Sequence, residues 1–227
     1  MSFSLQKDDV IGVMAPSSYV EKNDIESSQR VMEGLGYAVF VHDQTFAKDG
    51  QLAGTDDEKL EALHALYEDS KVKAIWAAGG GNGALSLIHK VDYERIKANP
   101  KPLIGFSDVT SLLNAISVRT GIMNYHGPVF KQLHKIDDLE ECLKVLTGES
   151  NDISLGDAEF LNEGEASGLM LGGNLSIVQY LPSLLGLEAF HNSIVFIEDC
   201  GEELSRLDRT LCYLKELGIL KNLAGLV

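Results

Sequence analysis

Three short and almost continuously apolar runs, each followed by a stretch with helical spacing, constrain this chain more than any other feature. Asp9 to Ala15 carries Val10, Ile11, Val13 and Met14 and is halted by Pro16; Val72 to Ala78 and Pro102 to Phe106 repeat the pattern. Runs of this length without polar alternation read as strands buried on both faces, the mark of a parallel sheet covered by helices. Helices are expected over Asp24 to Leu35, where Gly34 and Gly36 supply a stop before the strand Tyr37 to Val41, and over Asp108 to Arg119. Thr55 to Glu58 spells T-x-x-E, a capping box opening a helix with Leu60, Leu63, Leu66 and Tyr67 on its apolar face. A short helix with Leu85, Leu87 and Ile88 follows the third strand. The expected fold is therefore α/β, with an N-terminal parallel-sheet domain of Rossmann-like character.

Thr147 to Glu165 changes character, being rich in Gly, Asp, Glu, Asn and Ser. It reads as a linker or surface hairpin. This places one domain over 1–146, a linker over 147–165 and a smaller α+β domain over 166–227. Within the latter, a helix is expected over Asn174 to Leu185, a strand over Ser193 to Ile197, a helix over Glu203 to Leu217 and a strand over Leu223 to Val227. That last strand carries no turn, polar tail or helix after it, so the second domain is expected to be incomplete and the chain a truncated form of a longer protein.

Charge and composition narrow the partners. The 34 acidic residues outnumber 19 basic ones, a net charge of -15, which argues against nucleic acid or anionic membrane as a partner and for a small-molecule or peptide ligand. Cys142, Cys200 and Cys212 form no C-x-x-C pair and speak against a disulfide framework or a cysteine-based zinc site. The N-terminus has charge where a signal peptide needs an apolar run, so a cytoplasmic location is expected.

Several residues could carry chemistry. Ser107 sits where a strand turns into a helix, a geometry that exposes a nucleophilic hydroxyl; Gly105-Phe-Ser-Asp-Val109 lacks the second glycine of G-x-S-x-G, and a plain helix N-cap reads the same serine without chemistry. Gly79 to Gly83 lets backbone amides approach a phosphate or an oxyanion, or simply makes a tight turn. It matches neither G-x-G-x-x-G nor a loop ending in G-K-[ST]. Glu198 and Asp199 end a strand, where one carboxylate could orient a histidine or both could be solvated turn residues. Among the six histidines none has metal-ligand spacing; His64 reads as packed in its helix, and His126 as either a turn residue or a catalytic one.

Taken in order, Ile11-Gly-Val-Met-Ala-Pro-Ser17, the Gly79 to Gly83 loop, Val91 through Gly-Phe-Ser107-Asp-Val-Thr110, His126-Gly-Pro128, Gly172-Gly-Asn-Leu-Ser176 and Phe196-Ile-Glu-Asp-Cys-Gly-Glu202 with Leu207-Asp-Arg209 resemble the LD-carboxypeptidase family of serine peptidases and its relatives, the microcin C self-immunity peptidases. The resemblance implies a Ser-Glu-His triad with Ser107 as nucleophile and Glu198 as its acid, and an oxyanion hole built from the amides of Asp108 and the Gly80–Gly81 region. It implies release of terminal D-alanine from murein tetrapeptides in cell-wall recycling, with no metal and no cofactor; a homodimer is the assembly considered. An immunity-type peptidase cleaving an acyl-nucleotide linkage is the alternative enzyme, and a silent binder of muropeptides or nucleotides the alternative of another class. Gly81 stands where an aromatic residue is common in the family. The family's histidine belongs after Val227, so the chain as written is expected to be inactive.

Overall fold

The computed structural model describes residues 3–150, 152 and 159–227. The chain divides into two compact units, Met1–Ser150 and Asn151–Val227.

In the first unit, β1 (Val10–Met14), α1 (Lys22–Gly34), β2 (Ala38–Val41), α2 (Asp56–Glu68), β3 (Val72–Ala77), α3 (Tyr93–Ala98), β4 (Leu103–Gly105), α4 (Thr110–Thr120), β5 (Tyr125–His126) and α5 (Leu139–Thr147) follow one another. The strands form one parallel sheet in the order β2-β1-β3-β4-β5. Alternate residues of a strand face opposite sides, so each face gathers its own core. Ile11, Val13 and Trp76 pack with Ile25 and Met32 of α1, Phe130 and Leu143 on one side. Met14, Ile75 and Leu103 pack with Leu63 and Leu66 of α2, Ile96 of α3 and Leu112 and Ile116 of α4 on the other.

The capping box at α2 is formed in both directions: the Glu58 N–H donates to the Thr55 hydroxyl at 3.3 Å, and the Thr55 N–H donates to the Glu58 carboxylate at 2.7 Å. The short helix at 85–87 is a single 3-10 turn. Three of the helices and strands of this unit, α3, β5 and α5, lie outside the sequence expectations. In α3 the carboxylate of Asp92 caps the N-terminus by accepting from the N–H groups of Glu94 and Arg95.

Strand order positions the site. The chain leaves β1 toward β2 on one side and returns to β3 on the other. The loops after β1 and β3 therefore diverge and leave a crevice at the carboxyl ends of these strands, where open α/β sheets bind ligands.

The second unit contains β6 (Met170–Asn174), α6 (Leu175–Val178), α7 (Leu181–Leu185), β7 (Ile194–Glu198), α8 (Leu204–Glu216) and β8 (Gly225–Leu226). Its three strands are parallel, in the order β6-β7-β8. One expectation is corrected: the single helix over Asn174 to Leu185 is two short ones. Pro182 has no N–H to give, and its ring would clash with the carbonyl four residues back, that of Val178, where α6 ends. Of the stretch expected as a linker, α5 runs through Thr147, and residues 151 and 153–158 lie outside the described residues.

Candidate active site

Ser107 follows β4 and opens a 3-10 turn that runs directly into α4. Its φ is 62°, a left-handed conformation that a serine adopts only under constraint. The constraint is visible at Gly105, where a side chain would lie 2.9 Å from Val109 Cγ1 and 3.1 Å from Ala77 Cβ. The chain is pressed between β3 and the first turn of the helix, and the next residues must bend sharply. Ser107 is not a cap: neither the 3-10 turn nor α4 has a side-chain cap hydrogen bond. The hydroxyl is left to project from the elbow.

Opposite it lies the loop after β3. A side chain on Gly80 would stand 3.0 Å from the Cβ and 3.2 Å from the Oγ of Ser107, so only glycine lets the backbone come this close. At Gly81, φ is 118° and a side chain would collide with the Ser18 hydroxyl, so the loop as built here calls for glycine. Ser18 ties the loop to the end of β1 by accepting from the Asn82 N–H at 3.1 Å and donating its own N–H to the Gly80 carbonyl at 3.4 Å. Among the described residues the N–H groups of Gly80, Gly81 and Asp108 make no hydrogen bond. Three unspent donors thus lie on the elbow and on the loop that faces it, and unspent donors are what an oxyanion hole requires.

Asp108 acts inward. It is buried, and its carboxylate accepts from the Ala84 N–H at 2.8 Å, fastening the glycine loop to the elbow. Burial pushes its pKa up, against the Ala84 N–H, Ser17 and the charge of Lys59. Lys59 is itself fully buried, its ammonium forms no hydrogen bond within the protein, and a side chain on Gly83 would lie 2.9 Å from it. Burial lowers the Lys59 pKa while Asp56, Asp108 and Asp49 raise it. This residue is absent from the sequence candidates, yet a signal existed: Lys59, Ala62, Leu63 and Leu66 share the buried stripe of α2, where a lysine is out of place.

The histidines separate by environment. His64 is buried and accepts from the Asp92 N–H at 3.0 Å, so it is a packed residue. His126 sits in register with Gly105, and its ring meets Phe106 edge-on at 6.2 Å. Burial lowers its pKa to about 4. An imidazole that weakly basic is poorly matched to taking a proton from serine near neutral pH.

Ser107, Asp108, Gly80 and Gly81 therefore meet within the first unit. Glu198 belongs to the second, at the end of β7 and in register with Asn174. Its pKa is raised by burial first and by Asp199, against a hydrogen bond from Asn174. Asp199 is engaged locally, accepting from the Ser176 hydroxyl at 3.2 Å and the Cys200 N–H at 2.8 Å. Among the described residues no group of His, Cys, Asp and Glu gathers in a way that could hold a metal ion, and no helix is long and apolar enough to cross a membrane.

Comparison with known proteins bears on this geometry. The chain is 34% identical over 234 residues to a probable murein peptide carboxypeptidase of Bacillus subtilis, covering 99% of this chain and 72% of that one. It superposes with a TM-score of 0.85 on an MccF-like protein from Bacillus anthracis, at 27% identity over 99% of this chain and 78% of that one. Against the muramoyltetrapeptide carboxypeptidase of Oxalobacter formigenes the TM-score is 0.83 at 26% identity, over 96% and 75% of the two chains. Residues 11–127 match the LD-carboxypeptidase N-terminal domain and residues 167–227 its C-terminal domain, so that the chain belongs to the LD-carboxypeptidase family.

Proposed function

We propose that this protein is a serine LD-carboxypeptidase that removes the terminal D-alanine from murein tetrapeptides, in the recycling of wall fragments in the cytoplasm. One observation carries the reading: a serine held at a φ of 62°, facing a glycine loop whose amides are unspent. The Ser107 hydroxyl attacks the carbonyl of the L,D-amide bond, and the amides of Asp108 and of Gly80 or Gly81 stabilise the negative charge that develops on its oxygen. Asp108 keeps those two donor groups at a fixed separation through its bond to Ala84. Glu198 is the acid that orients a histidine, and that histidine, other than His126, takes the serine proton and returns it to the departing D-alanine nitrogen. Water then releases the acyl-enzyme.

The test is D-alanine release from an L,D-tetrapeptide, together with labelling by a serine-reactive fluorophosphonate. Turnover by the parent would overturn the expectation of an inactive chain, and turnover and labelling alike should vanish in Ser107→Ala, by at least about a thousandfold for turnover. Persistence of either in that variant overturns the assignment. The resemblance to the microcin C self-immunity peptidases supports a second substrate class, an acyl group linked to a nucleotide-like moiety. Faster cleavage of such a conjugate than of the tetrapeptide would replace the murein substrate while leaving the serine in place.

A further inference from the structure

We infer that Lys131 is the cation that receives the terminal carboxylate of the substrate peptide. The inference rests on the carboxypeptidase reading, and begins from a demand of its chemistry. An enzyme that removes one residue from a chain end must recognise that end, and the carboxylate carbon of the leaving residue stands three covalent bonds, or about 4 Å, from the carbonyl carbon under attack. A positive charge close to Ser107 meets this demand.

The loop after β3 places one there. Gly79 and Gly80 are consecutive; a side chain on Gly80 would lie 3.2 Å from Ser107 Oγ, and one on Gly79 would lie 3.4 Å from Lys131 Nζ. Consecutive residues are about 3.8 Å apart at Cα, so the nucleophile and the ammonium stand at most roughly 12 Å from one another. That span accommodates an attacked carbonyl, the leaving residue and a charge-assisted hydrogen bond in sequence. Lys131 is held at this place by its backbone, whose N–H donates to the Ala78 carbonyl at 3.0 Å.

The surroundings leave this charge available. Lys131 lines a cavity of about 400 Å³ with Ser18, Gln51, Glu21 and Asp24 at the crevice between the ends of β1 and β3. Asp24, one of the two carboxylates in the lining, is already engaged: Lys135 reaches it at 3.0 Å and His134 at 3.5 Å. The pKa of Asp24 is lowered chiefly by Lys135, with Lys131 the weakest of its cationic neighbours. Lys131 forms no ion pair among the described residues. Ser18 and Gln51 add polar groups beside it. Tyr19 and Val20 complete the lining and give the small side chain that bears the carboxylate an apolar surface to rest on.

Calorimetric titration tests this without turnover, using Ser107→Ala protein and two peptides that differ only at the end: the tetrapeptide acid and its C-terminal amide. The acid is expected to bind about tenfold more tightly, the size of one charge-assisted hydrogen bond. Lys131→Met should abolish the difference by weakening the acid alone, and Lys131→Arg should keep most of it. A preference for the acid that survives Lys131→Met overturns the inference, as does equal binding of acid and amide to the parent protein, and both results leave the peptidase reading standing. If neither peptide binds while a nucleotide conjugate does, the murein substrate falls and this inference with it. Circular dichroism of Lys131→Met and Lys131→Gln separates lost recognition from lost folding.

Discussion

In the first unit β1 and β3 lie inside their sheet with Ile11, Val13, Ile75 and Trp76 at 1% exposure or less, whereas the central strand of the second unit, β7, buries only Val195 to that order. All three strands are flanked on each side by a parallel neighbour. Central position alone therefore does not bury a strand. In the first unit α1 and α5 close one face and α2, α3 and α4 the other, and in the second Leu169, Met170 and Leu226 remain half exposed. The residues that must be held rigidly, Ser107 and its glycine loop, sit on the better covered sheet.

The largest test of this contrast is Trp76→Ala. The indole is 1% exposed, packs edge-on against Phe130 and donates its N–H to the Pro128 carbonyl at 2.7 Å. Its loss should cost about 3–5 kcal/mol in urea unfolding. A cost below about 1 kcal/mol would remove the contrast altogether.

Acid should distinguish the units next. His126 has a folded pKa of about 4 against an ordinary 6.5, so the unfolded chain binds more protons between these values. Stability from this group is present above pH 6.5 and is lost as pH falls toward 4, by up to about 3 kcal/mol. Glu198 in the second unit has the opposite sign: its pKa is raised, so its contribution is present at low pH and is lost as pH rises through that raised value. Asp108, also raised by burial, works in the same sense as Glu198 within the first unit. The decisive comparison is therefore thermal unfolding against pH for the parent and for His126→Gln, which should flatten the acid limb. An unchanged slope would show that His126 is not buried neutral.

A smaller effect is expected in the second unit from Leu214→Ala, which removes one of the few deeply buried side chains of α8, at 3% exposure. About 2 kcal/mol should be lost from the protection of α8 in hydrogen exchange, with the amides of β1 and β3 unaffected. Equal loss in β1 and β3 would mean that the units open together. Thr55→Ala, which breaks the capping box of α2, should cost about 1 kcal/mol.

Much of the first sheet was legible because continuous apolar runs and a capping box are local signals. Val10–Met14, Val72–Ala77 and α2 follow from them directly. The strand β5 is two residues long and could not announce itself, since its place is set by pairing with Ile104 and Gly105. α5 is a different omission: Leu139, Leu143 and Leu146 carry helical spacing and all three are buried. At the site, the bend at Ser107 could be anticipated from a strand running into a helix. The burial of Lys59 was signalled by its place in the apolar stripe of α2, but its neighbours were not, because only folding brings the glycine loop and Asp108 alongside it. Lys131 is similar, being separated by 24 positions from the serine it serves while a backbone bond to Ala78 brings it alongside.

The left-handed backbone at Ser107 has a consequence for how this protein responds to selection. A residue with a Cβ in that conformation costs on the order of 1 kcal/mol that glycine does not incur. Ser107→Gly should therefore melt at a higher temperature than the parent while losing the hydroxyl, whereas Ser107→Ala keeps the strain and loses it too. A library of variants sorted for heat resistance alone would enrich glycine at this position, and the first function discarded would be the chemistry.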